Sequence, residues 1–227
     1  MSRETNFGTA PFVGFGACDE PQPSTVNSRC TWFGITGPTG AGKTTALNAL
    51  TSLWGCIIDA DAVYHELTVS SAPMREEISA RFPGVYEGTT LHRKKLGAIV
   101  FQDEKALHDL DAIIQKYVTQ ATREKLAQAE AEGKPAAAID AIKLLESGLA
   151  DLCHCTLAVT APEELRVRRI MAREGISEEY AWMRVNAQHK SDWFRERCDH
   201  TLESTEADTV ETFAQRARTL FRTIMEE

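Results

Sequence analysis

A glycine-rich stretch near the start of the chain restricts the possible folds more than any other feature. Residues 37–44 read GPTGAGKT and match G-x-x-x-x-G-K-T, the Walker A pattern of a phosphate-binding loop. A β-prone segment (residues 31–36) precedes the motif, and apolar residues at helical spacing (residues 45–54) follow it. The order strand, glycine loop, helix argues against a chance match in a glycine-rich turn. We therefore predict that this loop binds nucleotide phosphates.

The loop residues suit that role for separate reasons. Glycines let backbone N–H groups approach phosphate oxygens closely, and the N-terminus of the following helix adds partial positive charge. We expect Lys43 to reach the β- and γ-phosphates and the Thr44 hydroxyl to coordinate Mg²⁺. The predicted nucleotide-binding residues are Gly37, Pro38, Thr39, Gly40, Ala41, Gly42, Lys43, Thr44 and Thr45.

Length and composition limit the remaining possibilities. A chain of 227 residues is sufficient for one compact domain with a small appendage, and its net charge of −8 disfavours a nucleic-acid partner. No apolar run approaches the length of about 20 residues that spans a bilayer. The six cysteines follow no secretory signal and form no small disulfide framework, so we expect a cytoplasmic protein. Residues 1–29 are interpreted as a flexible extension and residues 30–227 as the catalytic domain.

Two short apolar segments end in carboxylates. Residues 56–58 precede Asp59 and Asp61, and residues 136–139 precede Asp140. Both segments read as buried parallel strands, whose carboxyl ends carry the ligand sites of open α/β sheets. Asp140 is a candidate Mg²⁺ ligand through water, or alternatively a cap or turn residue. Asp59 could equally be the N-cap of a helix.

The rest of the chain alternates predicted helices and strands, which indicates an α/β fold with a doubly wound parallel sheet between two layers of helices. The long predicted helix has an apolar face of Leu107, Leu110, Ile113, Ile114 and Val118, and Thr205 or Asp208 is expected to cap the last helix. The predicted helices are 62–82, broken at Pro73, then 91–101, 103–132, 163–174, a helical stretch over 175–195, and a final helix ending near 225; residues 82–90 form turns, and the further strands are 153–159 and 200–202.

Two side-chain patterns in the second half admit more than one interpretation. Cys153-His154-Cys155 could suggest a metal site, but alternate strand residues face opposite ways, and we interpret the cysteines as core residues. Arginines at i, i+3 and i+7 of the helix over 163–174 share one face, either solvated or closing over phosphates as part of a lid. These arginines are Arg166, Arg169 and Arg173, and the adjacent segment adds Arg184 and Gln188.

Taken together, the motifs resemble those of the dephospho-coenzyme A kinases, a family of P-loop kinases. The likeness extends over residues 30–205 and is most specific at Asp59-Ala60-Asp61, directly after the second strand. The other matching motifs are the phosphate loop, Leu91-His92-Arg93, Leu144-Leu145-Glu146, Arg169-x-x-x-Arg173, Arg184-x-x-x-Gln188 and Cys198-Asp199.

The resemblance implies a P-loop NTPase core of three α/β/α layers, a helical substrate (CoA) subdomain within about residues 62–132 and a helical lid over about 174–197. It implies ATP and dephospho-CoA as substrates, Mg²⁺ as cofactor, and phosphorylation of the ribose 3′-hydroxyl. Asp61 matches the catalytic carboxylate, Arg93 a substrate-binding arginine, and Arg169 and Arg173 the arginines beside the phosphates. We expect Lys43 to act in catalysis and Asp59 and Asp61 to contact the substrate, in a monomer or small homo-oligomer.

The sequence departs from the family pattern mainly on the acceptor side. His65 stands in place of an arginine, His92 in place of an aspartate, and Ser204 in place of an asparagine; Gln115-Lys116 and Ile142-Lys143 also differ. One alternative is therefore a P-loop kinase for another nucleotide-like or small-metabolite hydroxyl. A second is a nucleotide-binding regulator without transferase activity. A GTPase is disfavoured because no Asn-Lys-x-Asp motif is present.

Overall fold

The computed structural model describes residues 29–227, so the predicted N-terminal extension lies outside the described residues except for Arg29. The elements in chain order are β1 (Thr31–Thr36), α1 (Lys43–Thr51), β2 (Cys56–Asp59), α2 (Ala60–Ser70), α3 (Ala72–Arg81), β3 (Tyr86–Glu87), β4 (Thr90–Leu91), α4 (Arg93–Val100), α5 (Glu104–Ala131), β5 (Ala136–Asp140), a 3₁₀ turn (Leu149–Leu152), β6 (Cys155–Thr160), α6 (Glu163–Glu174), α7 (Glu178–Asn186), α8 (Ser191–Arg195), β7 (His200–Glu203) and α9 (Val210–Glu226).

Five of the strands form a parallel sheet in the order β2-β5-β1-β6-β7. Strand β1 is central, and the chain leaves it toward β2 on one side and returns later to β6 on the other. This topological switch point lies at the carboxyl end of β1, where α/β sheets bind ligands. The chain places residues 37–42 at this point.

Apolar clusters cover both faces of the sheet, as a parallel sheet requires. On one face, Phe33 and Leu157 pack with Leu50 of α1 and Phe221 of α9. On the other face, the second cluster joins the sheet to α2 and α5. Its buried members include Ile58, Val63, Leu126, Ile139 and Leu144. The predicted three-layer α/β/α fold is therefore confirmed.

Two smaller apolar clusters lie beyond the sheet. The first joins α3, α4 and the N-terminal half of α5 and includes Met74, Phe82 and Leu110. The second joins α6 to α7 through Val167, Ile170, Ala181 and Val185. These clusters give the helical segments cores of their own beside the sheet.

Several local predictions were wrong. Leu91 lies in the hairpin β3–β4 rather than in a helix, and Leu107 is 39% exposed rather than on the buried face of α5. The cap of α9 is Thr209, whose hydroxyl accepts from the Thr212 amide (3.1 Å). The Asp208 carboxylate instead accepts hydrogen bonds from the Thr205 amide and hydroxyl.

Strand β6 also begins later than predicted, at Cys155. His154 precedes the strand, where its Nδ1 accepts a hydrogen bond of 3.0 Å from the Trp32 amide while its ring stacks on the Trp32 ring.

Candidate active site

At two positions of the phosphate loop, a side chain larger than that of glycine would clash with the backbone of another segment. Gly37 has φ +143°, and a Cβ there would lie 2.0 Å from the carbonyl oxygen of Val159 in β6. Gly40 has φ +82°, and its Cβ would lie 2.9 Å from the carbonyl oxygen of Arg166 in α6. Real Cβ atoms do not approach backbone oxygens so closely, and positive φ disfavours any residue with a Cβ. The glycines therefore let the loop lie directly against the backbones of β6 and α6.

The loop leads into α1 at Lys43, whose ammonium faces the neighbouring strand. Lys43 Nζ lies 2.6 Å from Oδ1 of Asp140, the last residue of β5, and both side chains are largely buried. Lys43 and Thr44 open the helix, so their N–H groups have no carbonyl partner within it. Free amides, an ammonium and a hydroxyl thus gather at the start of α1, a combination suited to phosphate oxygens.

A cavity of about 970 Å³ opens over this loop, and we call it the loop cavity. All predicted nucleotide-binding residues line it except Ala41, which is fully buried. Three arginines from α6 and α7 also line it: Arg169, Arg173 and Arg184. The remaining lining includes Phe213 and residues 204–206 and 208–210. The cavity therefore gathers the positive charge of Lys43 and of these arginines.

The predicted arginine face of α6 divides into different roles. Arg169 donates from Nη1 to the Gly40 carbonyl (3.2 Å) and from Nη2 to the Ser204 hydroxyl (2.8 Å). Arg173 and Arg184 both pair with Glu174, and the bond from Arg173 is the main cause of the lowered pKa of that carboxyl. Arg166, by contrast, is completely buried and does not line the loop cavity.

A second cavity, of about 580 Å³, lies beside the loop cavity, and we call it the Asp61 cavity. Ile142, just after β5, lines both cavities and forms a shared wall. Asp61 contributes an exposed carboxylate from the first turn of α2. The other polar lining residues are Tyr64, Asp111, Gln115, Thr119, Lys143, Glu146 and Ser147.

Asp59 fills the capping role that was its alternative interpretation. Its Oδ1 accepts hydrogen bonds from the Asp61 amide (2.9 Å) and the Ala62 amide (3.0 Å). Asp59 is also the direct neighbour of Asp140 across strands β2 and β5. The cap therefore fixes the first turn of α2, which carries Asp61, next to the carboxyl end of β5, where Asp140 contacts Lys43.

Arg93 lies outside both cavity linings, as do Asp59 and Asp140 at the ends of β2 and β5. Its Nη2 lies 3.0 Å from Nδ1 of His65, and the neighbouring His92 contacts Glu87. Its role in substrate binding stays a prediction.

Sequence reasoning missed the face of α5 that lines the Asp61 cavity. Asp111, Gln115 and Thr119 recur at intervals of four residues, which places them on one helical face. This polar stripe beside the apolar face of α5 was the available signal.

The chain has a parallel sheet between helices, a Walker A loop at the switch point of that sheet, and arginines that line the cavity over the loop. These features define it as a P-loop kinase. A family model described as "CoaE: Dephospho-CoA kinase" matches residues 31–208. The chain belongs to the dephospho-CoA kinase family, and its activity is that of the family, the last step of coenzyme A synthesis.

Individual relatives agree with this assignment. A dephospho-CoA kinase of Thermus thermophilus is 36% identical over 174 residues, which cover 76% of this chain and 82% of the relative. The enzyme of Corynebacterium diphtheriae is 32% identical over 198 residues, covering 86% and 98%. The crystal structure of TT1252 from Thermus thermophilus superposes with a TM-score of 0.67 at 30% identity, covering 86% of this chain and 98% of that one. Within residues 29–227, no helix is long and apolar enough to cross a membrane.

Proposed function

We propose that this chain transfers the γ-phosphoryl group of ATP to the 3′-hydroxyl of dephospho-CoA, with the ATP phosphates in the loop cavity and the acceptor ribose in the Asp61 cavity. The main support is the shared wall at Ile142, which sets a carboxylate-lined cavity beside a phosphate-binding one. Two substrates bound in adjoining cavities can react directly, which is most of what phosphoryl transfer requires of a protein.

On the donor side, the loop amides and Lys43 bind the phosphates. Phosphoryl transfer spreads charge over the equatorial oxygens, and fixed cations in a site shielded from water stabilise that charge. Arg169 and Arg173, which also line the loop cavity, would supply such cations. Arg173 and Arg184 are paired with Glu174, and they would exchange this partner for phosphate oxygens as the lid over about residues 174–197 closes. Closure would also exclude water and so limit hydrolysis of ATP.

The residues present fit a magnesium ion. The Thr44 hydroxyl lines the loop cavity, and the Asp140 carboxylate lies against Lys43 at the neighbouring strand end. Hydroxyl, carboxylate and phosphate oxygens are the hard ligands that Mg²⁺ prefers, and it usually keeps several waters. Thr44 would hold the ion directly and Asp140 through water, and the bound ion would neutralise charge on the phosphates.

On the acceptor side, Asp61 is proposed to orient the 3′-hydroxyl and accept its proton. Its backbone amide is held by the Asp59 cap, so the carboxylate leaves a fixed first turn of α2. Asp59 is proposed to contact the substrate through its remaining carboxylate oxygen. Arg93, outside the cavity lining, would contact a part of dephospho-CoA that extends toward α4.

Asp61→Asn tests the assignment, with Asp111→Asn as a matched control from the same cavity. Mass spectrometry of dephospho-CoA incubated with enzyme, Mg²⁺ and ATP measures the product. A lost general base should lower kcat by about 10²–10⁴ while ATP binding persists. Asp111→Asn should stay within a few-fold of the parent enzyme, because Asp111 is not proposed to contact the reacting hydroxyl. Equal turnover in the two variants would contradict the role of Asp61.

Asp59→Asn separates capping from substrate binding. Asparagine caps helices as well as aspartate does, so stability should be retained. A raised KM for dephospho-CoA without a lower melting temperature is the result expected if Asp59 contacts the substrate. The cytoplasmic location and the oligomeric state stay predictions from the sequence.

A further inference from the structure

Arg166 is a buried cation beside the phosphate loop, and the proposed chemistry does not use it. Its relative exposure is 0%, and it forms no ion pair with any residue in 29–227. A buried charge is costly unless its donors are satisfied, and burial accordingly lowers the pKa of this guanidinium. Its Nε donates to the Thr39 carbonyl (2.9 Å), and its Nη2 donates to Oε1 of Gln188 (2.9 Å).

Gln188 completes a closed network around Thr39. Its Oε1 accepts from the Thr39 amide, and its Nε2 donates to the Thr39 hydroxyl, each at 3.0 Å. The amide, carbonyl and hydroxyl of Thr39 are therefore all bonded to just two side chains. Gln188 lies two residues beyond the end of α7, so this network attaches the segment carrying Arg184 to the phosphate loop.

The carbonyl groups of a phosphate-binding loop need hydrogen-bond donors, and this network supplies them. When backbone N–H groups turn inward to phosphate, carbonyls turn outward and need donors of their own. Arg166 supplies a donor for the Thr39 carbonyl, and Arg169, one helical turn later, supplies donors for the carbonyls of Gly40 and Ala41. Three successive loop carbonyls thus share two guanidinium groups from α6.

We propose that Arg166 and Gln188 are positioning residues that hold the loop, through Thr39, in the shape that binds ATP phosphates. This inference rests on the proposed binding of ATP at the loop. It gives Arg166 a role that differs from that of Arg169, because Arg166 contacts the outer side of the loop and does not face the loop cavity.

Gln188→Met tests the proposal because it keeps the length of the side chain and removes every hydrogen bond. Asn186→Ala, an exposed change two residues earlier, is the control. The loss of two hydrogen bonds to the loop should raise KM for ATP by roughly tenfold. KM for dephospho-CoA should change less than twofold, and Gln188→Glu, which can still accept from the Thr39 amide and Arg166, should recover part of the loss.

A merely structural role would lower the melting temperature of Gln188→Met without changing the ratio of the two KM values, and that result overturns the proposal. If Gln188→Met does not fold, amide hydrogen exchange of the parent enzyme decides. The Thr39 amide should be protected before nucleotide is added, and rapid exchange there contradicts the network. Absence of any ATP-induced rise in melting temperature of the parent enzyme would instead contradict the proposed function itself.

Discussion

Gly40→Ala measures the loss of stability when a Cβ is placed between the phosphate loop and α6, and Gly133→Ala provides a matched control. The two glycines have similar positive φ angles, +82° and +71°. A Cβ at Gly133 would meet nothing within 4 Å, whereas a Cβ at Gly40 would lie 2.9 Å from the carbonyl oxygen and 3.1 Å from the Cα of Arg166. The pair therefore separates the cost of backbone conformation from the cost of contact.

The expected magnitudes follow from these distances. A left-handed conformation costs an L-residue about 1–2 kcal/mol, and this cost applies to both variants. The gain from a less flexible unfolded chain also applies to both and cancels in the comparison. Gly40→Ala should additionally cost about 1–3 kcal/mol, the usual range for overpacking, because backbone atoms must move apart. For a domain of this size, each kcal/mol lowers Tm by about 2–4 °C.

Thermal unfolding of the two variants and the parent protein is the assay. Gly40→Ala should melt about 2–12 °C below Gly133→Ala, the product of the two preceding ranges. ATP should also stabilise Gly40→Ala less than it stabilises Gly133→Ala, because the displaced loop loses its bonds to Arg166. Equal melting temperatures and equal stabilisation by ATP would refute the claim that the loop lies in contact with α6.

Three further predictions test other contacts. Asp140→Asn removes the charged partner of Lys43 and the proposed outer ligand of Mg²⁺, so kcat/KM should fall about 10–100-fold with a higher Mg²⁺ requirement; an unchanged Mg²⁺ titration would count against the metal role. The Asp199 carboxylate accepts hydrogen bonds from the Thr156 amide (2.7 Å) and hydroxyl (2.8 Å), and these bonds lower its pKa. Ionised Asp199 therefore stabilises the fold fully above its unfolded pKa of about 3.9, and this stabilisation is lost as pH falls through the lower pKa of the folded state. Asp199→Ala should therefore lower the urea midpoint at pH 7 more than at pH 3, and an equal decrease would contradict the linkage. Burial raises the pKa of the half-buried Cys153 thiol and of the buried Cys155 thiol to about 12, so iodoacetamide at pH 8 should label both much more slowly in the folded protein than after unfolding, and equal labelling rates at these two residues would contradict the raised pKa.

Local sequence signals predicted the elements that carry the chemistry. Strand β5 and helix α6 have the predicted bounds, because a short alanine-rich apolar run and an amphipathic stretch followed by glycine are local signals. The prediction of Thr205 or Asp208 as the final cap was wrong because several adjacent residues could cap a helix equally well. The hairpin β3–β4 was missed because two-residue strands carry almost no periodic signal.

The arginines of α6 show what helical spacing alone could not predict. Helical spacing placed Arg166, Arg169 and Arg173 on one face, but it could not show what covers each part of that face. The structure buries Arg166 behind Thr39, while Arg169 and Arg173 line the loop cavity. The difference comes from a loop far earlier in the chain, since Arg166 lies 127 residues beyond Thr39.

The sequence by itself determined that this chain has a phosphate loop after a buried strand, because glycines, a lysine and a threonine at fixed spacing act through local backbone geometry. Only the tertiary structure decided that Lys43 contacts Asp140 and that Ile142 lies between two adjoining cavities. Those contacts depend on strand order, register and the packing of distant helices, and residue spacing within one segment carries no information about what another segment places beside it.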